Sequence, residues 1–267
     1  QPCPGSRQDD NARGVTSEQE EKKLPELRFD GRTVEFLTPK DIDELLESHG
    51  HIEMTSKSTP VGEVPVLGVA PLPSAKEEEA TGVTRRRDRG QTWDLSLGVN
   101  EYHMIMSYVR HFLSKNHPQV GRKGPVCPFV PQSLRKNTLY LSIIRSGPAG
   151  KKEIERFIKS FAPHFQRMEP TTGSARQFKA VIFIFPDVRL EDTGEFIDAV
   201  QQICKPYFVK RGLMLGEFHL RNNSPGLRNP DFYPLRTPVP CLAVRHMVPT
   251  DLAFLDVEKY ETGMRID

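Results

Sequence analysis

Much that would announce a function is missing from this chain of 267 residues. It holds no CxxC, HExxH, GxSxG or GxGxxG, so the short signatures of dithiol redox centres, zincins, α/β-hydrolase nucleophiles and dinucleotide sites are absent. Cysteine is sparse: Cys3, Cys127, Cys204 and Cys241 stand far apart, which fits free thiols in a reducing compartment better than a disulfide framework or a zinc knuckle. No apolar run approaches the roughly 20 residues of a membrane helix. No charged-then-apolar leader follows Gln1, so no targeting peptide is visible and a cytoplasmic location is expected. Net charge is also scarce. Against 37 Lys and Arg stand 35 Asp and Glu, a formal +2, too mild to argue for nucleic acid.

What is present is unevenly distributed. Residues 1–24 are polar and charged, and cannot bury enough surface to offset ordering entropy, so a disordered tail is expected. Residues 25–99 read as a small hairpin around Asp30-Gly31, a short helix capped by Thr38 with Pro39 at its first turn, and a Pro- and charge-rich linker. In that linker Arg85-Arg86-Arg87 follow Glu77-Glu78-Glu79, and the opposed charges read as a solvated loop rather than a nucleic-acid patch. Residues 100–267 form the predicted α/β core. Tyr102, Ile105, Tyr108, Val109 and Phe112 follow a helical period, with His103, Ser107 and His111 on one stripe and the two histidines expected at the surface.

Beyond Lys136 the pattern alternates. TLYLSIIRS (138–146) reads as a buried strand and Lys151–Met168 as a helix. FKAVIFIFP (178–186) is a strand covered on both faces, because it is apolar without alternation. Glu191–Lys210 reads as a helix, followed by strands at LMLGEFHL and CLAVRHMV with a long Pro/Asn/Arg-rich loop between them. The expected fold is therefore α/β: a mainly parallel mixed sheet, β-α-β-α-β-loop-β, flanked by helices, with an antiparallel edge and a mostly irregular N-terminal region. The order recurs in thioredoxin-like topology, without its CxxC.

Candidate chemistry falls in three places. The loop His117 to Pro131 joins one imidazole, one guanidinium and one thiol on a backbone stiffened by Pro and Gly. Cys127 could become nucleophilic if His117 or Arg122 lay beside it; the plainer reading is a small buried hydrophobe. Glu217 and His219 alternate onto one face of a strand end, about 7 Å apart along the backbone, as acid/base partners, metal ligands or a structural pair. The third place is the cationic set Arg221, Arg228, Arg236, Arg245 and His246. Arginine suits carboxylates and phosphates, and Arg245, inside an apolar strand, must be paired or point into a polar cleft. Asn222, Asn223, Ser224, Asn229 and Asp231 can equally hold the loop by side chain to backbone bonds. Ser146 to Lys152 joins a strand to a helix N-terminus that favours anions, though it lacks the P-loop spacing.

The segments GRKGPVCPFVP, GEFHL and NPDFYPLRTPVPCLAVRHMVPTDLAFL resemble an uncharacterised bacterial family of soluble proteins that share a VCPF motif, a Gly-x-FHP motif and a PLRSPVPxLAxRxMV tail. The likeness covers roughly residues 100–256, with Leu220 standing where the pattern has Pro and Thr237 where it has Ser. It implies a shared architecture and pocket, and its relatives' look of biosynthetic accessories points to small-molecule work. The expectation is thus a pocket of the VCPF loop, the strand end and the arginine loop. There Arg122, Arg236, Arg245 and His117 hold an anionic small molecule, His219 and Glu217 move a proton, and Cys127 lines the pocket or attacks. The alternatives are a non-catalytic interaction scaffold whose loop is only a clasp, and a metal-binding protein using His219, Glu217 and His117. No cofactor and no oligomeric state is implied.

Overall fold

The computed structural model describes residues 26–48, 98–147 and 149–255. The expectations of a tail over 1–24 and of most of the linker lie outside the described residues. Strands β1 (Arg28–Phe29) and β2 (Arg32–Thr33) form the expected hairpin. Its turn residues Asp30 and Gly31 have φ of 47° and 76°, the left-handed conformation that a two-residue turn of this kind demands. Helix α1 (Pro39–Ser48) begins at a reciprocal cap, with the Asp41 amide donating to Thr38 Oγ1 and the Thr38 amide to Asp41 Oδ2. Helix α2 (Val99–Ser107) continues into a π-helical turn, Tyr108–Leu113. Of the two histidines expected at the surface only His111 is exposed. Ser107 is buried and His103 half-buried, with desolvation lowering the imidazole's pKa.

After a short helix α3 (Val130–Arg135), strands and helices alternate as expected: β3 (Leu139–Ile143), α4 (Lys151–Arg167), β4 (Ala180–Ile184), α5 (Ala199–Val209), β5 (Leu213–Phe218) and β6 (Cys241–His246). The expected helix from Glu191 is broken into a 3-10 turn at Leu190–Asp192 and a π-helical turn at Gly194–Asp198 before α5 begins.

The fold is α/β with a mixed four-stranded sheet in the order β3-β4-β6-β5. β3 and β4 are parallel, and β6 is antiparallel to both β4 and β5, so β3, β4 and β5 run one way and β6 the other. The antiparallel strand is not at the edge, however. The crossover through α5 leaves a gap beside β4, and the long loop brings β6 back to fill it.

Side-chain alternation divides two cores. On one face Val181, Phe183, Leu213, Leu215, Leu242 and Val244 pack under α4 and α5, and the hairpin joins them through Phe29. On the other, Leu139, Leu141, Ile143, Ile184 and Cys241 meet α1, α2, Phe232 and Val239. The strand β4 is thus covered on both sides, as its unbroken apolar run requires. Leu37 exchanges backbone hydrogen bonds of 2.9 and 2.8 Å with Leu141 and covers the outer edge of β3. Among the described residues no helix is long and apolar enough to cross a membrane.

Candidate functional site

The sheet separates the residues expected to share a pocket. Along β5, Leu213 and Leu215 point to the α4/α5 side and Phe218 packs into the opposite core. The two-residue period then puts Glu217 and His219 on the α5 side. Cys127 packs half-buried in the opposite core, its amide donating to the Leu113 carbonyl at 2.9 Å. It stands near Tyr108, whose buried hydroxyl donates to the Pro234 carbonyl and is held well above its usual pKa by desolvation, with the Cys127 and Cys241 thiols adding to the rise. The expected convergence of Cys127 with His219 is therefore not formed.

The cations around Cys127 serve the loop's own backbone. Arg122 donates to the Lys123 and Val126 carbonyls at 3.2 and 3.0 Å. His117 accepts from the Gln119 amide through Nδ1 and stacks on Phe232, centroids 4.9 Å apart and rings 18° from parallel. Among the described residues neither is hydrogen bonded to the thiol, so the geometry expected of an activated nucleophile is missing. The two proline-rich segments do meet here, as a clasp. Asn229 Nδ2 donates to the Gln119 carbonyl at 2.9 Å. Gly121, at φ 72°, comes so close that a Cβ would lie 3.1 Å from Arg228 Cβ.

Arg245 lies elsewhere again. It pairs in register with Met214, three residues from Glu217, which is about 10 Å along β5. Its guanidinium makes a two-pronged salt bridge of 2.6 and 2.6 Å to the buried Asp251, donates to the His246 carbonyl and lies over Phe129. Asp251 also accepts from the Val248 amide. The demand that a cation in an apolar strand be paired is met internally, and Arg245 is a structural residue rather than a ligand-binding one. The Ser146–Lys152 turn is closed in the same manner: the Gly147 and Gly150 amides are taken by Asp187 and Glu153.

One open depression remains beside the expected pair. It has a volume of about 400 Å³ and is lined by Asp198, Gln201, Gln202, Glu217, Arg221 and the run Asn222 to Pro225. His219 stands behind its wall. Its ring is 2% exposed, and Nε2 lies 2.7 Å from Asp198 Oδ1, while Nδ1 is buried without a partner. Shifting the proton from Nε2 to Nδ1 would leave a buried N–H with no acceptor, which disfavours that tautomer. The imidazole thus serves as a fixed donor to Asp198.

Glu217 is held by a neutral donor as well, since the Ser224 hydroxyl donates to its Oε1 at 3.2 Å. Asn222 builds the rim. Its side chain donates to the Glu217 carbonyl and accepts from the Ser224 amide, and its own amide donates to the His219 carbonyl at 2.9 Å. That turn forms with Leu220 where the resembled pattern has Pro, and the hydroxyl of Thr237 is used for a bond to the Val239 carbonyl. Arg236, stacked on Tyr233, donates to the Asn222 carbonyl at 2.9 Å and to Asn223 Oδ1 at 3.2 Å. It braces the rim from behind.

Of the expected site residues, then, the structure gathers Glu217, His219 and Arg236 around one depression. It places Cys127, His117 and Arg122 across the sheet, and Arg245 at the far end of β6. The metal reading through His219, Glu217 and His117 fails on the same ground, and no group of three or more His, Cys, Asp or Glu among the described residues is placed to hold a metal ion. Sequence reasoning missed Asp198. The available signal was a carboxylate set between Ile197 and Val200, on a helix that precedes the strand carrying His219.

Residues 102–263 match the model of a family described as a domain of unknown function, DUF6875. The match spans more than half of the chain, which belongs to that family. No curated protein and no solved structure matches it.

Proposed function

We propose that this member of the family binds a small molecule with an acidic group in the depression between β5 and the start of α5, Arg221 receiving the acid. The observation that carries this is the contrast among the arginines. Arg122, Arg236 and Arg245 are committed to the chain's own carbonyls and carboxylates. Arg221 lines the depression and has no ion pair or hydrogen bond to the described residues. An uncommitted guanidinium keeps its planar array of donors available for a carboxylate or phosphate. Glu217, not His219, is the group able to take a proton from a bound molecule. The glutamate lines the depression, and the imidazole is turned away behind Asp198.

A thermal-shift screen of small carboxylates, phosphates and amino acids tests this reading. At least one class is expected to raise the unfolding temperature, with the shift lost in Arg221→Ala and retained in Arg122→Ala. Stabilisation that survives Arg221→Ala would overturn it. A second reading, an interaction scaffold without catalysis, is favoured by the clasp, whose cations and amides bond the loop's own backbone. It predicts no small-molecule stabilisation at all.

A further inference from the structure

The depression has a second chemical feature, and it points to a narrower ligand class. Two carboxylates, Asp198 and Glu217, line it together with one guanidinium, Arg221. Neither carboxylate has an ion-pair partner of permanent charge among the described residues. Each is instead oriented through one oxygen, Asp198 Oδ1 by the buried His219 ring and Glu217 Oε1 by the Ser224 hydroxyl. Asp198 Oδ2 and Glu217 Oε2 have no hydrogen-bond donor among the described residues.

Acceptors of this kind, held in place and uncompensated, favour a ligand that brings donors and positive charge. A plain anion would meet two negative groups for one positive. We infer that the ligand is a zwitterion: an amine-bearing acid, of the chemical class of amino acids and their derivatives. Its ammonium is held by Asp198 and Glu217, and its acid by Arg221. Gln201 supports this end of the site from the core, its side-chain amide donating to the Leu215 carbonyl at 3.0 Å, which fixes the helix face that carries Asp198 against β5. The inference rests on the reading of the depression as a small-molecule site and adds the requirement for an amine.

The test uses matched probes on the full chain: the standard amino acids, their deaminated acids and their decarboxylated amines, each assayed for binding by ligand-observed NMR. At least one amino acid is expected to bind ten-fold or more tightly than its deaminated partner, with that preference lost in Glu217→Gln and in Asp198→Asn. Thermal unfolding of each variant shows that the fold is kept, and Glu217→Gln serves if Asp198→Asn is unstable. Equal or tighter binding of the deaminated acids, with loss in Arg221→Ala, would overturn the zwitterion while leaving the acid-binding reading intact. Binding of no amine-bearing probe overturns the inference too. A preference that persists in Glu217→Gln would show that the amine is recognised elsewhere.

Discussion

The loop between β5 and β6 has two halves of opposite character. From Arg228 to Phe232 it closes on the turn from His117 to Gly121. Phe232 is 5% exposed, stacks on His117 and accepts the Gly226 amide at 2.6 Å, and the neighbouring Tyr108 hydroxyl is spent on Pro234. From Arg221 to Pro225 the same loop lines an open, polar depression whose carboxylates and guanidinium are left uncompensated. Polar groups that are all matched internally add to folding stability and leave little for a ligand. Charged groups on an open surface that make few internal bonds stay available to a ligand. Cys127 and His117 lie on the side of the closed half, and that is why these two residues, which look like chemistry in the sequence, are structural here.

The largest effect that would break this comparison lies in the closed half. Phe232→Ala removes a buried ring that touches Phe112 and His117 and is expected to cost about 3–5 kcal/mol, read from the urea midpoint at unchanged slope. A loss below about 1 kcal/mol would mean that the clasp is loose and that the loop is free to rearrange as a unit.

Somewhat smaller, and tied to pH, is the contribution of His246 at the end of β6. The ring is 8% exposed and packs on Phe165, and its Nε2 is buried without a partner. Desolvation, then Arg176 and Lys179, push its pKa from 6.5 down to about 4. Lys179 is itself fully buried and donates to the Phe165 and Met168 carbonyls at the end of α4. Because the folded-state value is depressed, protons bind the unfolded chain more readily. Stability is fully present above pH 6.5 and is lost as pH falls from there toward about 4. The loss is on the order of 3 kcal/mol for a group this buried. His246→Phe should flatten that part of the stability–pH curve, and an unchanged curve would assign the acid sensitivity to other groups.

How far the sequence carried these conclusions depends on whether a feature is local. The Asp30-Gly31 turn, the Thr38 cap and the apolar run of β4 are written in adjacent residues, and each was legible. That Glu217 and His219 share one side of the sheet was legible from strand period alone, although His219 bonds Asp198 and Glu217 bonds Ser224. The inner position of β6 depends on a crossover and a loop of more than twenty residues, although β6 itself, apolar on both faces up to Arg245 and His246, carried a hint of an interior strand. Tertiary pairing decided the arginines. Only the docking of Pro249–Phe254 brings Asp251 to Arg245, so the cleft and the internal salt bridge could not be told apart beforehand. Asp198 escaped for the same reason, since nothing near it in the chain marks it as the partner of His219.

The smallest expected effect is the sharpest comparison. Glu217→Gln in the open half keeps an acceptor for the Ser224 hydroxyl and removes one of the two negative charges that line the depression. Asp198→Asn likewise leaves an oxygen for His219 Nε2. Without ligand, Glu217→Gln should change folding stability by less than about 0.5 kcal/mol, and Asp198→Asn, which weakens a hydrogen bond to a buried ring, by about 1 kcal/mol. Chemical denaturation at neutral pH, set beside Phe232→Ala, measures the contrast directly. Should either carboxylate variant lose as much as the clasp variant, Asp198 and Glu217 would be structural members of a closed network, and the depression would be a by-product of how the loop folds. A near-zero change in Glu217→Gln together with lost ligand binding would show the two halves to be specialised, one for holding the loop and the other for what the loop presents.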